Sequence, residues 1–395
     1  MADDNKNTRK KLLVTGSTFP RWKGDTEPRF VLDMASALTE YYDVTVLVPA
    51  APNARSEEVM EGVKVKRYHY FPIHKLETLC YPGAIVPRVK EKKARALLIP
   101  FLFFSLWINL IRECKKVDVV HAHWLIPQGI VQSFIKKPYI VTGHGGDVTS
   151  LNSGIFKLLK KRCLKKAMRV TVVSEYLKSQ VLNIADIDDV EIISMGCRVS
   201  NFGPQYRVEN RFGQMNKKVV LFVGRLAEKK GVKYLIEAMD GVDAKLVIAG
   251  DGPLRSELEA QAASLNIDVE FLGAKTHDEL KEIYASADLF VAPSVKGKDG
   301  DIEGLGLVNL EAMSSGLVVI GSRSGGIVEI IEDGVTGFLV DEKDPVRLRS
   351  AIQKVLADDE LADRIRNNSM EFVKQYDYAV LAKRYHDCIE KGLNP

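Results

Sequence analysis

Thirteen short runs rich in Val, Ile and Leu, interleaved with stretches of helical apolar spacing, constrain this chain more than any other feature. Seven lie in the first half, at Leu12–Thr15, Val44–Val48, Val63–Tyr68, Val117–His121, Tyr139–Thr142, Val170–Val173 and Glu191–Ser194. Six lie in the second, at Val219–Val223, Lys245–Ala249, Val269–Leu272, Leu289–Ala292, Val318–Gly321 and Phe338–Val340. Several are continuously apolar, as strands buried on both faces must be. Alternation of strand and helix predicts α/β structure, with helices covering both faces of a mostly parallel sheet. Two successive sets predict two doubly wound domains, and 395 residues is enough for two of ordinary size. The seam falls in Met195–Lys217, where Gly196, Gly203, Pro204 and Gly213 interrupt the periodicity. The expected division is a first domain at 1–197, a linker at 198–216, a second domain at 217–376, and a last helix at about 377–395 that packs back on the first.

Composition limits the classes that remain. The chain is 46% hydrophobic and 27% charged, which suits a globular protein and excludes a disordered one. Its five cysteines are scattered and form no C-x-x-C pair, so neither a disulfide framework nor a zinc ribbon is indicated. A reducing compartment, the cytoplasm, is expected, and the polar first residues do not resemble a secretory signal. The net charge of +4 hides an asymmetry: residues 1–197 hold 30 Lys/Arg against 20 Asp/Glu, and the remainder 26 against 32. One half is therefore expected to meet an anionic partner.

Chemistry-bearing residues gather after strands of the second half. Asp301–Gly316 reads D-I-E-G-L-G-L-V-N-L-E-A-M-S-S-G, a Gly-interrupted loop that opens a helix. Such a loop presents free backbone N–H groups to an anion. Glu303 stands before the helix and Glu311 within it; carboxylates there repel phosphate and suit the hydroxyls of a sugar. Gly224–Gly231, G-R-L-A-E-K-K-G, brings Arg225 and Lys230 to the carboxyl end of a strand, the ligand edge of an open α/β sheet. A guanidinium fork and an ammonium can together neutralise a diphosphate leaving group. A third turn at that edge, Ala249–Pro253, reads A-G-D-G-P, and its glycines allow close approach of a nucleotide.

In order, E-x7-E, G-R-L-x-x-x-K-G and A-G-D-G-P resemble the retaining glycosyltransferases of family four, and the resemblance extends over nearly the whole chain. It implies the GT-B fold, two Rossmann-like domains facing a central cleft, with a nucleotide-sugar donor on the second domain and the acceptor on the first. By the same resemblance Arg225 and Lys230 hold the donor diphosphate, Glu303 contacts sugar hydroxyls, and Glu311 binds the ribose diol. Backbone groups of Gly304, Leu305, Gly306 and Leu307 contact phosphate or sugar, Gly250 lies near the nucleotide, and Lys275 stands where the base is bracketed. Tyr139–Val148, Y-I-V-T-G-H-G-G-D-V, resembles the strand whose terminal His faces the donor sugar, so that role falls to His144 and a supporting one to Asp147. Val119–Gly129 resembles a wall of the cleft. Where many members have a Gly-Gly loop near the phosphate, Thr18–Phe30 retains only Gly24, so this loop either keeps a donor contact or shapes the acceptor site. Gly196-Cys197-Arg198 also departs from the family's usual Gly-Val-Asp hinge.

The implied activity is retaining transfer of a hexose or N-acetylhexosamine, from a UDP- or GDP-sugar, to a glycan or lipid-linked acceptor. No metal and no other cofactor is implied, and no nucleic-acid partner. A phosphorylase-like or hydrolytic enzyme of the same fold, and a non-catalytic nucleotide-sugar-binding subunit, are the competing readings.

Each feature also has a plain structural reading. Glu303 and Glu311 can be helix-entry and surface acids, Arg225 and Lys230 solvated charges, and His144 a strand-end histidine. His121 and His123 lie on one strand face, yet no third zinc ligand accompanies them. Asp299-Gly300-Asp301 looks like the D-x-D of metal-dependent transferases but reads better as a polar loop in this context. Gly16-Ser17-Thr18-Phe19-Pro20 is not a dinucleotide fingerprint. Two stretches of the first half stay unassigned. Lys157–Arg169 holds seven basic residues, and Leu97–Ile111 is strongly apolar between basic flanks but shorter than a bilayer span. They are either a solvated face and a core helix, or a peripheral contact with an anionic membrane surface.

Overall fold

The computed structural model describes residues 9–394 except 26, 84, 214–216 and 298–302, so Asp299-Gly300-Asp301 lies outside the described residues. The chain forms two compact units, Met1–Ser194 with Tyr378–Pro395, and Met195–Asp377.

The first unit is built on β1 (Lys11–Thr15), β2 (Asp43–Pro49), β3 (Glu57–Met60), β4 (Val63–Tyr68), β5 (Val119–His123), β6 (Tyr139–Gly143), β7 (Arg169–Val172) and β8 (Val190–Ile192). They lie in the order β3-β4-β2-β1-β5-β6-β7-β8. Every neighbouring pair is parallel except β3 with β4. The sequence reading missed β3, since Glu57-Glu58-Val59-Met60 has two acids in four residues. It forms an edge hairpin with β4, a place where charge protects the strand from further pairing. β5 begins two residues later than expected, which puts both His121 and His123 inside the strand.

Helices cover both faces of this sheet. One face holds Phe30–Ala37 and the last helix, Tyr378–Leu393, whose Leu381, Tyr385 and Ile389 join the core with Leu12, Val14 and Val46. The other holds Ile99–Cys114, Ile130–Gln132 and Gly154–Lys166 side by side.

The second unit contains β9 (Lys218–Val223), β10 (Ala244–Ala249), β11 (Val269–Gly273), β12 (Leu289–Ala292), β13 (Val318–Ser322) and β14 (Phe338–Val340). All are parallel, in the order β11-β10-β9-β12-β13-β14. Alternate residues of β9 feed different cores: Val219, Leu221 and Val223 on one face, Val220 and Phe222 on the other. That is why the strand reads as an unbroken apolar run. The order reverses between β9 and β12, which makes the gap beyond their carboxyl ends the topological switch point where ligands bind in such sheets.

The segment read as a linker, 198–216, is corrected over its described part. Phe202 and Phe212 are buried in the core of the second unit. The Arg207 guanidinium donates to the carbonyls of Ala285 and Ala287 at 3.3 and 3.0 Å, and the Val208 amide donates to Ser286 Oγ at 3.0 Å. Aromatic anchors without periodicity hold it as a strap, where composition alone suggested a tether.

Candidate functional site

The loops beyond β9 and β12 meet at the switch point. β9 runs into Gly224-Arg225 and then a single 3-10 turn, Glu228–Lys230. β12 runs into Pro293-Ser294, and the described chain resumes at Glu303 before the helix Leu307–Ser314. A backbone hydrogen bond from Val295 N–H to the Lys229 carbonyl, 2.8 Å, joins the two loops. Between them is a small pocket lined by Phe222 and Ala292 from the strand ends, and by Lys230, Ser294, Glu303 and Asn309.

In this pocket Lys230 Nζ stands 2.7 Å from Oε2 of Glu303, with the two side chains 16% and 13% exposed. The contact is one of distance alone: Oε2 has no aligned hydrogen-bond partner among the described residues. Two further buried polar atoms nearby are also unpartnered among the described residues, Oδ1 of Asn309 and Oγ of Ser324. Buried polar groups are nearly always hydrogen-bonded, so a cluster of orphans beside a cation marks a place shaped for a polar ligand.

The Glu303 loop is held from behind. Gly326 N–H donates to the carbonyls of Gly304 and Glu303, at 2.7 and 3.3 Å. Gly306 caps the following helix at φ +70°, a left-handed conformation that glycine adopts without strain, and a side chain there would also press on Asn309. Leu305 is buried in the core of the second unit. Gly304 is exposed and Leu307 half-buried.

Glu311 lies one turn into the helix and is 8% exposed, which rules out the surface-acid reading. Its Oε2 accepts from Tyr284 OH at 2.9 Å, and its Oε1 is 3.9 Å from Nδ1 of exposed His277. Burial, followed by the adjacent carboxylate, raises the Tyr284 phenol well above its ordinary range, so it stays a donor. The sequence reading found neither Tyr284 nor His277; both come from the helix His277–Ala285, which has no motif of its own.

Arg225 is exposed, and its guanidinium makes no hydrogen bond or ion pair among the described residues. Gly250 N–H donates to the Gly273 carbonyl at 2.8 Å, and a Cβ on Gly250 would stand 1.8 Å from the Gly224 carbonyl oxygen. Gly250 therefore lets the β10 loop lie directly on the loop that presents Arg225. Lys275 follows β11 and pairs with Glu279 at 3.3 Å, in a turn fixed by the Thr276–Glu279 capping box.

The first unit brings His121, His123 and His144 together at the carboxyl ends of the neighbouring strands β5 and β6. His121 and His123 stack at 4.1 Å between centroids, and His123 Nδ1 is 2.9 Å from His144 Nε2. His121 Nε2 bonds Thr142 Oγ1 at 2.7 Å. Burial lowers His121 and His144 to about 3 and His123 well below its ordinary value, so all three are neutral imidazoles near neutral pH. His144 Nδ1 and His123 Nε2 have no hydrogen-bond partner among the described residues. Asp147 is engaged by the backbone around His144. Its two oxygens accept backbone N–H groups of Leu125, His144 and Gly145 at 2.8–3.1 Å, so it shapes the turn on which His144 stands. Gly24 sits in an exposed turn closed by Arg21, whose guanidinium bonds Asp25 at 2.7 and 2.9 Å. Among the described residues no group of three or more His, Cys, Asp or Glu is arranged to hold a metal ion.

Known proteins resemble both units. Residues 28–200 match the model for Glycosyltransferase Family 4, and residues 208–372 that for Glycosyl transferases group 1. An uncharacterised glycosyltransferase of Methanocaldococcus jannaschii is 33% identical over 293 residues, which is 68% of this chain and 74% of that protein. Sucrose-phosphate synthase from Thermosynechococcus elongatus superposes with a TM-score of 0.76 at 21% identity, over 98% of this chain and 100% of that one. The Anabaena protein HepE, solved with UDP and glucose, does so with a TM-score of 0.72 at 17% identity, over 97% and 100%.

Proposed function

This chain belongs to glycosyltransferase family four, the group 1 glycosyltransferases of GT-B fold, and on that footing we propose that the pocket between the β9 and β12 loops binds the diphosphate and sugar of a nucleotide-sugar donor. The observation that carries the reading is the Lys230–Glu303 pair, set among the unpartnered Asn309 and Ser324 atoms. A cation and a carboxylate side by side match the two halves of such a donor: diphosphate oxygens for the first, sugar hydroxyls for the second.

In this reading Lys230 and Arg225 take up the charge that grows on the diphosphate as the bond from the anomeric carbon to its oxygen breaks. An acceptor oxygen bonds the same face of that carbon, and the acceptor proton passes to the departing phosphate oxygen. Configuration is retained and no metal is needed to neutralise the leaving group. Glu303 and His144 orient the sugar, Glu311 accepts the ribose diol, and Lys275 stands beside the base. The donor is a UDP-hexose or UDP-N-acetylhexosamine; UDP bound to the similarly folded HepE is consistent with that choice. The first unit binds a glycan or lipid-linked acceptor destined for cell-surface glycoconjugates. Five free, buried cysteines support a reducing, cytoplasmic setting.

The test is a donor-by-acceptor array followed by mass spectrometry of the products, with anomeric configuration read by NMR and a chelator in parallel. Release of nucleotide diphosphate only with inorganic phosphate or water would favour a phosphorylase or hydrolase. UDP binding without turnover on any acceptor would favour a non-catalytic subunit.

A further inference from the structure

Two stretches that the donor chemistry does not use lie on the same face of the first unit. The helix Ile99–Cys114 packs beside Ile130–Gln132, which packs beside Gly154–Lys166. Each long helix buries an inner stripe: Leu102, Leu106 and Leu110 in one, Lys160, Cys163 and Leu164 in the other. Their outer stripes therefore share one surface, directed away from the sheet.

That surface is both greasy and basic. On the first helix Phe104 is 60% exposed and Trp107 40%, and on the second Leu158 is 64% exposed. Large apolar groups gathered on one face of a monomer mark an interaction site. Of the seven basic residues in Lys157–Arg169, three are engaged within the unit, Arg162 donating to the Ser133 carbonyl at 3.2 Å and lying 4.5 Å over the Phe134 ring. Lys160 is buried and donates to the Val148 and Ser150 carbonyls and to Asn152, and Arg169 pairs with Asp189 at 2.6 Å. Lys157, Lys161 and Lys165 are exposed, with no ion pair among the described residues. The first helix and its approach, residues 85–116, hold eight Lys/Arg against two Asp/Glu.

We propose that this face docks on an anionic lipid bilayer, with Phe104 and Trp107 at the level of the headgroups and Lys157, Lys161 and Lys165 against their phosphates. The combination of aromatic and aliphatic side chains with free lysines is the composition of interfacial helices. A protein partner or a second copy would want the apolar stripe without a field of unpaired lysines, which repels an identical surface. The segment Lys93–Cys114 is the one helix among the described residues long and apolar enough to cross a bilayer. Its inner stripe and the hydrogen bond from Ser105 Oγ to the His69 carbonyl, 2.6 Å, tie it to the domain, so it lies on the surface of the membrane.

The experiment is sedimentation of the full chain with vesicles of phosphatidylcholine alone or with phosphatidylglycerol added, at low and high salt. Binding is expected only to the anionic vesicles and weakens as salt screens the lysines. The triple variant K157E/K161E/K165E should bind on the order of a hundredfold more weakly. The pair F104S/W107S should lose retention at high salt, while circular dichroism stays that of the parent. No sedimentation with phosphatidylglycerol at low salt, or equal binding by both variants, overturns the proposal. So does self-association that F104S/W107S abolishes in the absence of lipid. None of these outcomes depends on the transferase assay.

Discussion

The Lys230 ammonium stands 2.7 Å from Oε2 of Glu303 without lying along a hydrogen-bonding direction of that oxygen. A cation expected to hold phosphate and a carboxylate expected to hold a sugar hydroxyl thus face each other across the pocket. On the proposed reading, donor binding separates them, each group turning to its own half of the ligand. The pair keeps the charges compensated until then, since either one alone at this burial is unfavourable.

Glu303→Gln separates binding from turnover. Lys230 loses its competitor, so UDP should bind equally or several-fold tighter, from an ion pair of roughly 1 kcal/mol. Turnover should fall by about a hundredfold or more as the sugar loses its acceptor. Isothermal titration with UDP and steady-state kinetics read the two effects. A parallel loss of UDP affinity would mean that Glu303 serves only to hold Lys230.

Arg225→Ala should leave stability within about 0.5 kcal/mol of the parent, because the exposed guanidinium has no partner to lose. It should lower kcat/KM by about a hundredfold if the guanidinium meets the diphosphate, with Arg225→Lys in between. Thermal melts and kinetics check this together; normal kinetics would remove Arg225 from the site.

Tyr284→Phe removes the hydroxyl that donates to buried Glu311 at 2.9 Å. Unfolding free energy should drop by roughly 1–3 kcal/mol. UDP affinity should fall several-fold, as Glu311 is no longer held for the ribose. Glucose tests the assignment: a ribose-specific role leaves inhibition by the free sugar unchanged.

Stability should fall as pH drops below neutral. His121 and His144 are lowered to about 3 by burial, whereas unfolded histidines titrate near 6.5. Between those values the unfolded chain binds protons that the folded chain refuses. Stability is therefore fully present above about pH 6.5 and is lost on acidification, by up to about 1.4 kcal/mol per pH unit for each histidine. Burial raises the Asp147 carboxyl, which acts in the opposite sense, so the histidine contribution is read by comparing variants across the same pH range. His121→Asn should flatten the slope; an unchanged slope would show that His121 is not the source.

The alternation of apolar runs with helical stretches was enough to predict an α/β chain with two doubly wound units, and all thirteen strand readings fall within two residues of the observed ends. The strand without a reading is the edge strand Glu57–Met60, whose two acids hide it. Local chemistry was legible for the same reason: glycines, arginine and lysine just past a strand end announce a ligand edge without reference to the rest of the chain. What periodicity specifies is which face of a strand is buried. It does not specify the neighbour of that strand, because a strand covered on both faces offers the same apolar surface to any partner. The order β11-β10-β9-β12-β13-β14 alone set Lys230 beside Glu303, which is 73 residues away in the chain. It also brought Tyr284 to Glu311, and β5 beside β6 set His123 against His144. Those contacts decide which charges are paired, which oxygens are left without partners, and so where a donor can bind.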